Sequence, residues 1–386
     1  MKNYDVIVIG AGSIGTPTSY FLAKEGLKVL CIEQNSSPGQ GQNKAAIGGV
    51  RATHSDPSKI HICKKSIEIF SHFQEKTGID IGWKTGGYCY PVYTESDEKL
   101  LKDLLPKQKQ NNLNIDWVDA ETIKELIPGI NPIHLRGGTY SPEDGQVSSL
   151  KSTTNFFLLA KKQGAEFIFH TQVQSIQAKQ DKIYAVTTDK GTFHTDILIN
   201  AAGATAAQIS LMTGLQTPVT SDCHEAGITA PVAPFLKPLV VDMRPGPEGK
   251  TTNFYFGQNH DNQIIFCYTP KPTIIGTTRH NTSEFLPIIA QRLVDLIPRF
   301  KNLQIRRTWR GLYPSTPDGI PIIGRSPLHK NFYLAIGMCG QGFMMGPGTG
   351  ANLASLIVHN KPLIPEEIFN LMNPSRDFYK TQELLA

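Results

Sequence analysis

The sequence lacks any long apolar run. Hydrophobic residues make up 40% of the 386 residues, but Gly, Pro or charged residues interrupt every apolar stretch. A membrane-spanning helix needs about 20 consecutive apolar residues, so we predict no transmembrane segment. Residues 1–5 run straight into a strand pattern and show none of the features of a signal peptide. These absences predict a cytoplasmic protein that would reach a membrane only through a partner.

Cysteine and clustered basic charge are also sparse. The six cysteines lie far apart and form no CxxC pair, so neither a zinc ribbon nor an iron–sulfur site is indicated, and we predict no metal site. Without an export signal, reduced thiols are expected. The net charge of +5 is spread along the chain with no run of five basic residues. That distribution argues against a nucleic-acid partner.

The N-terminal region contains a complete strand–turn–helix–strand unit. Residues 4–9 form a continuous apolar run that is typical of a buried parallel strand. A glycine-rich turn follows at 10–15, a helix is predicted over 13–25, and a second strand over 28–33. The unit therefore has the order of a βαβ motif.

The glycine turn matches the pattern G-x-G-x-x-G. Gly10 permits the tight turn, Gly12 lets the backbone approach a pyrophosphate, and Gly15 lets the helix pack close to the strand. A glycine pattern alone is a weak signal, but here the strand, turn, helix and second strand all fall in order. We therefore predict a dinucleotide-binding site.

Four further residues belong to this predicted site. Ser13 and Ile14 open the helix, whose free N–H groups and positive dipole end attract phosphates. Glu33 ends the second strand and is followed by Gln34. An acidic side chain at that position can accept hydrogen bonds from an adenosine ribose.

The rest of the chain changes character twice. Between about 215 and 315, β-branched and aromatic strands separated by turn signals predict an antiparallel sheet, interrupted by one helix near 285–297. A buried strand at 332–336, a glycine cluster at 337–350 and a helix near 349–358 return to α/β character. The long separation between the glycine turn and its return strand at 196–200, together with the second glycine-rich loop, favours FAD over NAD as the dinucleotide.

These patterns predict an α/β fold with two domains. A discontinuous Rossmann-type FAD-binding domain would comprise residues 1–82, 145–215 and 316–386. An inserted α+β domain with an antiparallel sheet, comprising residues 83–144 and 216–315, would bind the substrate.

The chain resembles the D-amino-acid-oxidase-like flavoproteins over nearly its whole length. Within that group it looks most like the β-subunits of heteromeric sarcosine oxidase and L-proline dehydrogenase. The likeness is carried by the segments YDVIVIGAGSIG at 4–15, AAIGGVRATHS at 45–55, DILINAAG at 196–203, HEAGIT at 224–229, RTWRGLYPSTPDGIPIIG at 307–324 and GMCGQGFMMGPGTG at 337–350.

The resemblance implies further cofactor contacts. A loop over the flavin would contain Ala46, Gly48 and Gly49, and the main chain of Val173 would contact the adenine end. The residues packed beside the cofactor would be Ala202, Gly203 and Gly311. A helix end at the pyrimidine side of the flavin ring would comprise Gly340, Gly342, Phe343 and Met344.

Two departures from the oxidases of the group bear on the chemistry. Gly311 stands where monomeric sarcosine oxidases carry a cysteine bonded to the flavin, so non-covalent FAD is expected. Met344 and residues 263–266 lack the lysines that those oxidases place near the flavin. A fixed positive charge there helps oxygen accept an electron. Its loss favours a dehydrogenase that passes electrons onward, in a hetero-oligomer with an electron-accepting subunit, while oxidase activity stays open.

Arg51 and His54 are the first candidate catalytic residues. Arg51 lies in the flavin-covering loop and could hold a substrate carboxylate with two parallel hydrogen bonds. The alternative is an arginine bound to a flavin phosphate or a surface carboxylate. His54 could lie beside the flavin, as histidines of some relatives do, or could be a structural hydrogen-bonding residue.

The second group of candidates comes from the predicted substrate sheet. His224 and Tyr255 could point toward the flavin or could be ordinary sheet residues. Arg310 and Tyr313 border the flavin in the resembling segment.

The resemblance implies oxidation of the C–N bond of a small amino acid, in particular a secondary amine such as proline or sarcosine, with hydride transfer to flavin N5. Two alternatives remain open at this point. One is FAD-dependent oxidation of a 2-hydroxy acid or glycerol 3-phosphate. The other is a non-catalytic FAD-bearing subunit of a complex.

Overall fold

A computed structural model describes residues 3–385. Its strands run in chain order as β1 Asn3–Ile9, β2 Val29–Ile32, β3 Gly49–Val50, β4 Lys84–Thr85, β5 Tyr88–Val92, β6 Asp116–Val118, β7 Gly137–Ser141, β8 Gly145–Gln146, β9 Glu166–Ile168, β10 Val173–Lys179, β11 Lys182–Thr188, β12 Gly191–Asn200, β13 Thr220–Pro231, β14 Leu239–Asp242, β15 Thr251–Gln258, β16 Gln263–Pro270, β17 Ile305–Ser315, β18 Ile322–Arg325 and β19 Phe332–Ile336.

The helices lie between these strands or follow the last of them. They are α1 Gly15–Lys24, α2 Pro57–Ser71, α3 Phe73–Thr77, α4 Glu95–Gln110, α5 Ala120–Leu126, α6 Ser149–Lys162, α7 Ala206–Leu211, α8 Phe285–Leu296, α9 Gly342–His359 and α10 Glu366–Phe369, with short 3-10 turns at Asn43–Ala45, Gly203–Thr205, Pro298–Asn302 and Asn370–Met372.

The first sheet has a parallel centre. β1 lies between β2 and β12 and pairs in parallel with both, and β12 pairs in parallel with β19 on its other side. The central strands are continuous apolar runs because helices cover both faces of such a sheet. The carboxyl ends of β1, β2 and β12 therefore meet at one edge, where the glycine turn begins.

The second sheet has the strand order β17-β13-β16-β15-β14-β5-β7-β6. Its neighbours are antiparallel except for β14 and β5, which run parallel. Alternation along these strands gives the sheet two different faces. Phe254, Phe256 and Phe266 pack with Phe285 and Ile289 of α8 in a buried apolar cluster, so the residues between them point the other way.

The predicted fold class is confirmed, and one boundary is corrected. The glycine cluster 337–350 was predicted as a loop before a helix near 349, but α9 already begins at Gly342. A Cβ on Gly346 would lie 2.1 Å from the Ser13 carbonyl oxygen, and one on Gly348 would lie 2.2 Å from the Ile62 carbonyl oxygen. These glycines therefore let the backbone of α9 approach its neighbours closely. That gain outweighs the low helix propensity of glycine, about 1 kcal/mol per residue.

Asp144 fixes the segment that leaves β3. Its carboxylate accepts hydrogen bonds from the Ala52 main-chain N–H and the Thr53 hydroxyl, each at 2.8 Å, and its side chain is fully buried. Burial raises the pKa of Asp144 to about 6. Because the folded pKa lies above the unfolded one, ionisation costs folding free energy, and that cost appears as the pH rises from about 4 through the folded pKa.

We expect the unfolding free energy of Asp144→Asn to rise by about 2–3 kcal/mol relative to that of wild type as the pH goes from 4 to 7, because Asn does not ionise. Urea unfolding at the two pH values measures this difference. Asp261→Asn, at an exposed position, is the control. If the difference in unfolding free energy between Asp144→Asn and wild type does not change with pH, the pKa of Asp144 is not raised by burial.

Candidate active site

One cavity connects the two sheets. At one end it is lined by Gly10, Glu33 and Ala202, which follow the carboxyl ends of β1, β2 and β12. At the other end it is lined by His224 and Tyr255 of the second sheet. Ligands of open α/β sheets bind outside the carboxyl ends of the strands, so the first end is the expected dinucleotide position.

Nearly all residues predicted to bind the cofactor line this cavity. They are Gly10, Gly12, Ser13, Ile14, Glu33, Gln34, Ala46, Gly48, Gly49, Val173, Ala202, Gly203, Gly311, Gly340, Gly342, Phe343 and Met344. Gly15 does not line it. A Cβ on Gly15 would lie 1.7 Å from the Gly10 carbonyl oxygen, so this glycine allows the close helix–strand packing expected of it.

Two helices open onto the cavity. α1 and α9 both begin there, and neither has a side-chain hydrogen bond capping its N-terminus. The free N–H groups of such helix ends bind phosphate or stabilise negative charge. Glu33 also ties the turn together, because one carboxylate oxygen accepts from Ala11 N–H at 2.8 Å and the other from Asn35 N–H at 2.8 Å.

Among residues 3–385, two of the residues that line the cavity have a buried polar side-chain atom without a hydrogen-bond partner. The atoms are Oε1 of Gln341 and Nδ1 of His224. A buried polar atom without a partner costs about 1–3 kcal/mol. Their presence fits a cavity that holds a polar cofactor and a polar substrate.

His224 is held rigidly. Its Nε2 lies 3.0 Å from Oδ2 of Asp222, and its ring stacks on Tyr313 with a centroid distance of 3.7 Å. In the neutral form of the ring, the bond to Asp222 places the proton on Nε2 and leaves Nδ1 as an acceptor. Tyr255 and Tyr313 contact each other through their hydroxyls. Burial raises the pKa of both phenols well above its usual value, so both stay protonated.

Arg51 lines the cavity, but its guanidinium is already engaged. One Nη donates to the Thr53 carbonyl oxygen, and the other donates to the Leu385 carbonyl oxygen at 2.6 Å. Burial alone would lower the pKa of Arg51, but the neighbouring Tyr90 and Tyr88 raise it. Arg51 therefore stays charged and links the loop that is predicted to cover the flavin to the C-terminal segment.

The structure does not bring His54 and Arg310 to the cavity wall. His54 is fully buried, between Nη1 of Arg51 at 3.2 Å and Sγ of Cys63 at 3.5 Å. Burial, with Arg51 and Lys59 adding to it, lowers its pKa well below the usual value, so it is a neutral structural histidine. Arg310 pairs in register with Glu225, one residue away from His224, and strand alternation turns it to the opposite face.

Sequence reasoning missed several lining residues. Tyr88 and Tyr90 alternate along β5 and line the cavity beside Arg51. Their period-two spacing was the available signal. Arg279, in the segment between β16 and α8, also lines the cavity, and it carried no sequence signal because nothing local marks that segment as near the site.

Other classes of site were searched for over residues 3–385. In that range no helix is long and apolar enough to cross a membrane. The same residues contain no group of three or more His, Cys, Asp and Glu side chains that could hold a metal ion.

The parallel sheet, its glycine turn and the uncapped helix ends together define a dinucleotide-dependent enzyme with a second, substrate-facing sheet. The chain belongs to the family of FAD dependent oxidoreductases known as DAO, whose model matches residues 5–356. The predicted family, the cofactor FAD and the oxidoreductase class are thereby confirmed.

Known proteins of the family are similar over most of the length of this chain. The sarcosine oxidase beta subunit of an Arthrobacter species is 24% identical over 93% of this chain and 88% of its own. A crystal structure of L-proline dehydrogenase from P. horikoshii is 30% identical and covers 97% of both chains with a TM-score of 0.89. The chain spans only 44% of human mitochondrial dimethylglycine dehydrogenase, at 24% identity over 96% of this chain.

Proposed function

We propose that this protein oxidises the C–N bond of a small amino acid, in particular a secondary amine such as proline or sarcosine. The observation that carries the proposal is one continuous cavity, which joins the expected FAD-binding edge to a polar wall formed by His224, Tyr255 and Tyr313. The sarcosine oxidase and L-proline dehydrogenase relatives support the same substrate class.

The bound FAD supplies the electron-accepting chemistry, and the chain supplies binding and orientation. His224 lines the cavity, and among residues 3–385 its buried Nδ1 has no hydrogen-bond partner. Nδ1 is therefore our candidate to accept a hydrogen bond or a proton from the substrate amine. Asp222 fixes the tautomer that makes this possible. The paired hydroxyls of Tyr255 and Tyr313 form a rigid polar wall beside it.

We expect His224→Gln to slow anaerobic flavin reduction by proline or sarcosine at pH 7 by about ten- to 100-fold, the cost of one hydrogen bond to a charged group. The loss should shrink at a pH above the pKa of the substrate amine, because the amine then arrives neutral. Stopped-flow bleaching measures both rates, with His260→Gln, at an exposed position, as control. A loss of equal size at every pH would count against proton acceptance by His224.

An anaerobic bleaching screen tests the proposed function. FAD-loaded protein is mixed with amino acids, 2-hydroxy acids and glycerol 3-phosphate, and the flavin spectrum is followed. Bleaching by an amino acid with a secondary amine supports the proposal. Bleaching by a hydroxy acid or glycerol 3-phosphate but by no amine would refute it.

We further propose that electrons leave through a partner subunit. Two of the relatives are named as subunits, the sarcosine oxidase beta subunit and the hydrogen cyanide synthase subunit HcnC of Pseudomonas aeruginosa. If amines bleach the flavin of the purified chain and oxygen restores its colour only slowly, an onward acceptor is required. If no amine bleaches the purified chain while a complex isolated with it is bleached, the chain is instead the non-catalytic FAD-bearing subunit.

A further inference from the structure

Two arginines supply the positive charge of the side chains that line the cavity. Among the described residues that line the cavity, the Lys and Arg side chains are Arg51 and Arg279 alone. The one carboxylate among those lining residues is Glu33, which lies at the dinucleotide end. A substrate carboxylate entering the other end therefore meets positive charge from two positions.

Arg51 has limited capacity to bind that carboxylate in a bidentate manner. Each of its Nη groups already donates to a main-chain carbonyl oxygen, one of Thr53 and one of Leu385. Turning both toward a substrate would leave two carbonyl groups without a donor, and an unmade hydrogen bond at a buried group costs about 1–3 kcal/mol.

The guanidinium of Arg279, unlike that of Arg51, is not engaged by main-chain carbonyl groups of the described residues. Within residues 3–385 its side chain has no hydrogen bond and no ion pair, and it is exposed while lining the cavity, which places it at the mouth. A guanidinium with free donors can bind a carboxylate through two parallel hydrogen bonds.

The main chain around Arg279 is fixed against the strand that carries His224. On one side, Gly276 N–H donates to the Ser221 carbonyl oxygen at 2.9 Å. On the other side, Thr282 N–H donates to the Glu225 carboxylate at 2.7 Å. The main chain at Arg279 is therefore held beside β13, the strand that carries His224, while the guanidinium of Arg279 stays free to move.

Arg310 adds a further tether to this segment. Its guanidinium donates to the carbonyl oxygen of His280 at 3.2 Å. Arg310 is thus a positioning residue for the Arg279 segment, on the face of the sheet opposite to His224.

We propose that Arg279 binds the carboxylate of the substrate at the mouth of the cavity and so selects amino acids over amines that lack a carboxylate. This inference rests on the proposed function, since it assumes an amino acid substrate. Arg51 then serves to hold the C-terminal segment against the flavin-covering loop.

The test compares a carboxylate substrate with its carboxamide. Wild type, Arg279→Gln and Arg279→Lys are assayed with proline and prolinamide, and sarcosine and sarcosinamide, by anaerobic flavin reduction. The control is Arg306→Gln, the same charge change at an exposed position on β17. For Arg279→Gln we expect kcat/KM for proline or sarcosine to fall about ten- to 100-fold, mainly through KM, with the carboxamide unchanged. Arg279→Lys should recover part of the loss, because it keeps the charge but not the planar donor pair.

The outcomes separate this inference from the proposed function. If neither amino acid nor carboxamide bleaches the wild-type flavin, the proposed function fails before Arg279 is tested. If wild type prefers the carboxylate and Arg279→Gln keeps that preference in full, the role of Arg279 is wrong and the proposed function stands. If Arg279→Gln lowers kcat/KM equally for the amino acid and its carboxamide, Arg279 shapes the cavity mouth without binding the carboxylate, and the inference is again overturned.

Discussion

Gly12→Ala is expected to fold like wild type and to be purified largely without FAD. No atom lies within 4 Å of a Cβ built on Gly12, and its backbone is not in the left-handed region, so the apoprotein has room for the methyl group. The cofactor is expected to lack that room, because the predicted role of this glycine is to let the backbone touch the pyrophosphate. Forcing an extra methyl group into a close contact costs about 1–3 kcal/mol or more, which lowers FAD affinity up to about 100-fold.

Gly15→Ala is the matched comparison, because it lies in the same turn and has the opposite expectation. Its Cβ would lie 1.7 Å from the Gly10 carbonyl oxygen, inside the contact between α1 and β1. The apoprotein itself should therefore lose about 3 kcal/mol of unfolding free energy, at the upper end for an overpacked site.

Two measurements on each variant separate the effects. Urea unfolding of the apoprotein reports the fold, and titration with FAD by flavin fluorescence reports the affinity. The expected pattern is wild-type unfolding with weak FAD binding for Gly12→Ala, and early unfolding for Gly15→Ala. FAD binding by Gly12→Ala at wild-type affinity would show that the pyrophosphate does not approach this residue.

The parts of the molecule that sequence predicted well are encoded locally. The glycine turn, the continuous apolar strands around it and Glu33 lie within one βαβ unit, so spacing alone locates them. The sequence also indicates locally which residues of a strand in the second sheet share a face. Period-two alternation puts His224 on the cavity face and Arg310 on the other, once the register of one neighbour is known.

The parts that sequence did not predict depend on contacts between distant residues. Arg279 reaches the cavity only because its segment is tied to Ser221 and Glu225, more than 50 residues earlier in the chain. The glycines of α9 read as a loop because the close backbone packing that they permit involves Ser13 and Ile62. The environment of His54 was set by burial, which a single histidine in a sequence does not report.

The C-terminal segment was not predicted to have any role, yet it contains a buried ion pair. Glu383 lies 3.4 Å from Nζ of Lys59, and both side chains are fully buried. The Glu383 carboxylate also accepts from the main-chain N–H groups of Ser55 and Leu385, each at 2.9 Å. These bonds hold Leu385 where its carbonyl oxygen meets Arg51.

Glu383→Gln should lower the unfolding free energy by about 3–5 kcal/mol at pH 7, because it leaves the buried Lys59 ammonium without its counter-charge. Chemical denaturation at a fixed saturating FAD concentration measures the loss, since bound cofactor adds its own stabilisation. Adding Lys59→Met to Glu383→Gln should recover much of it by removing the unpaired charge. Asp103→Asn, which breaks an exposed ion pair with Lys99, should leave the unfolding midpoint where it is.

The pH dependence gives this prediction a second, independent readout. Burial alone would raise the pKa of Glu383, but Lys59 and the donated main-chain hydrogen bonds outweigh burial and hold the pKa far below its usual range. A carboxylate with a depressed folded pKa stabilises the fold above its unfolded pKa of about 4.3, and that contribution is lost as the pH falls below this value. The difference between wild type and Glu383→Gln should therefore be constant from pH 6 to pH 8 and shrink below about pH 4. A difference that is small at pH 7, or that grows on acidification, would mean that the pair does not hold the C-terminal segment against the flavin-covering loop.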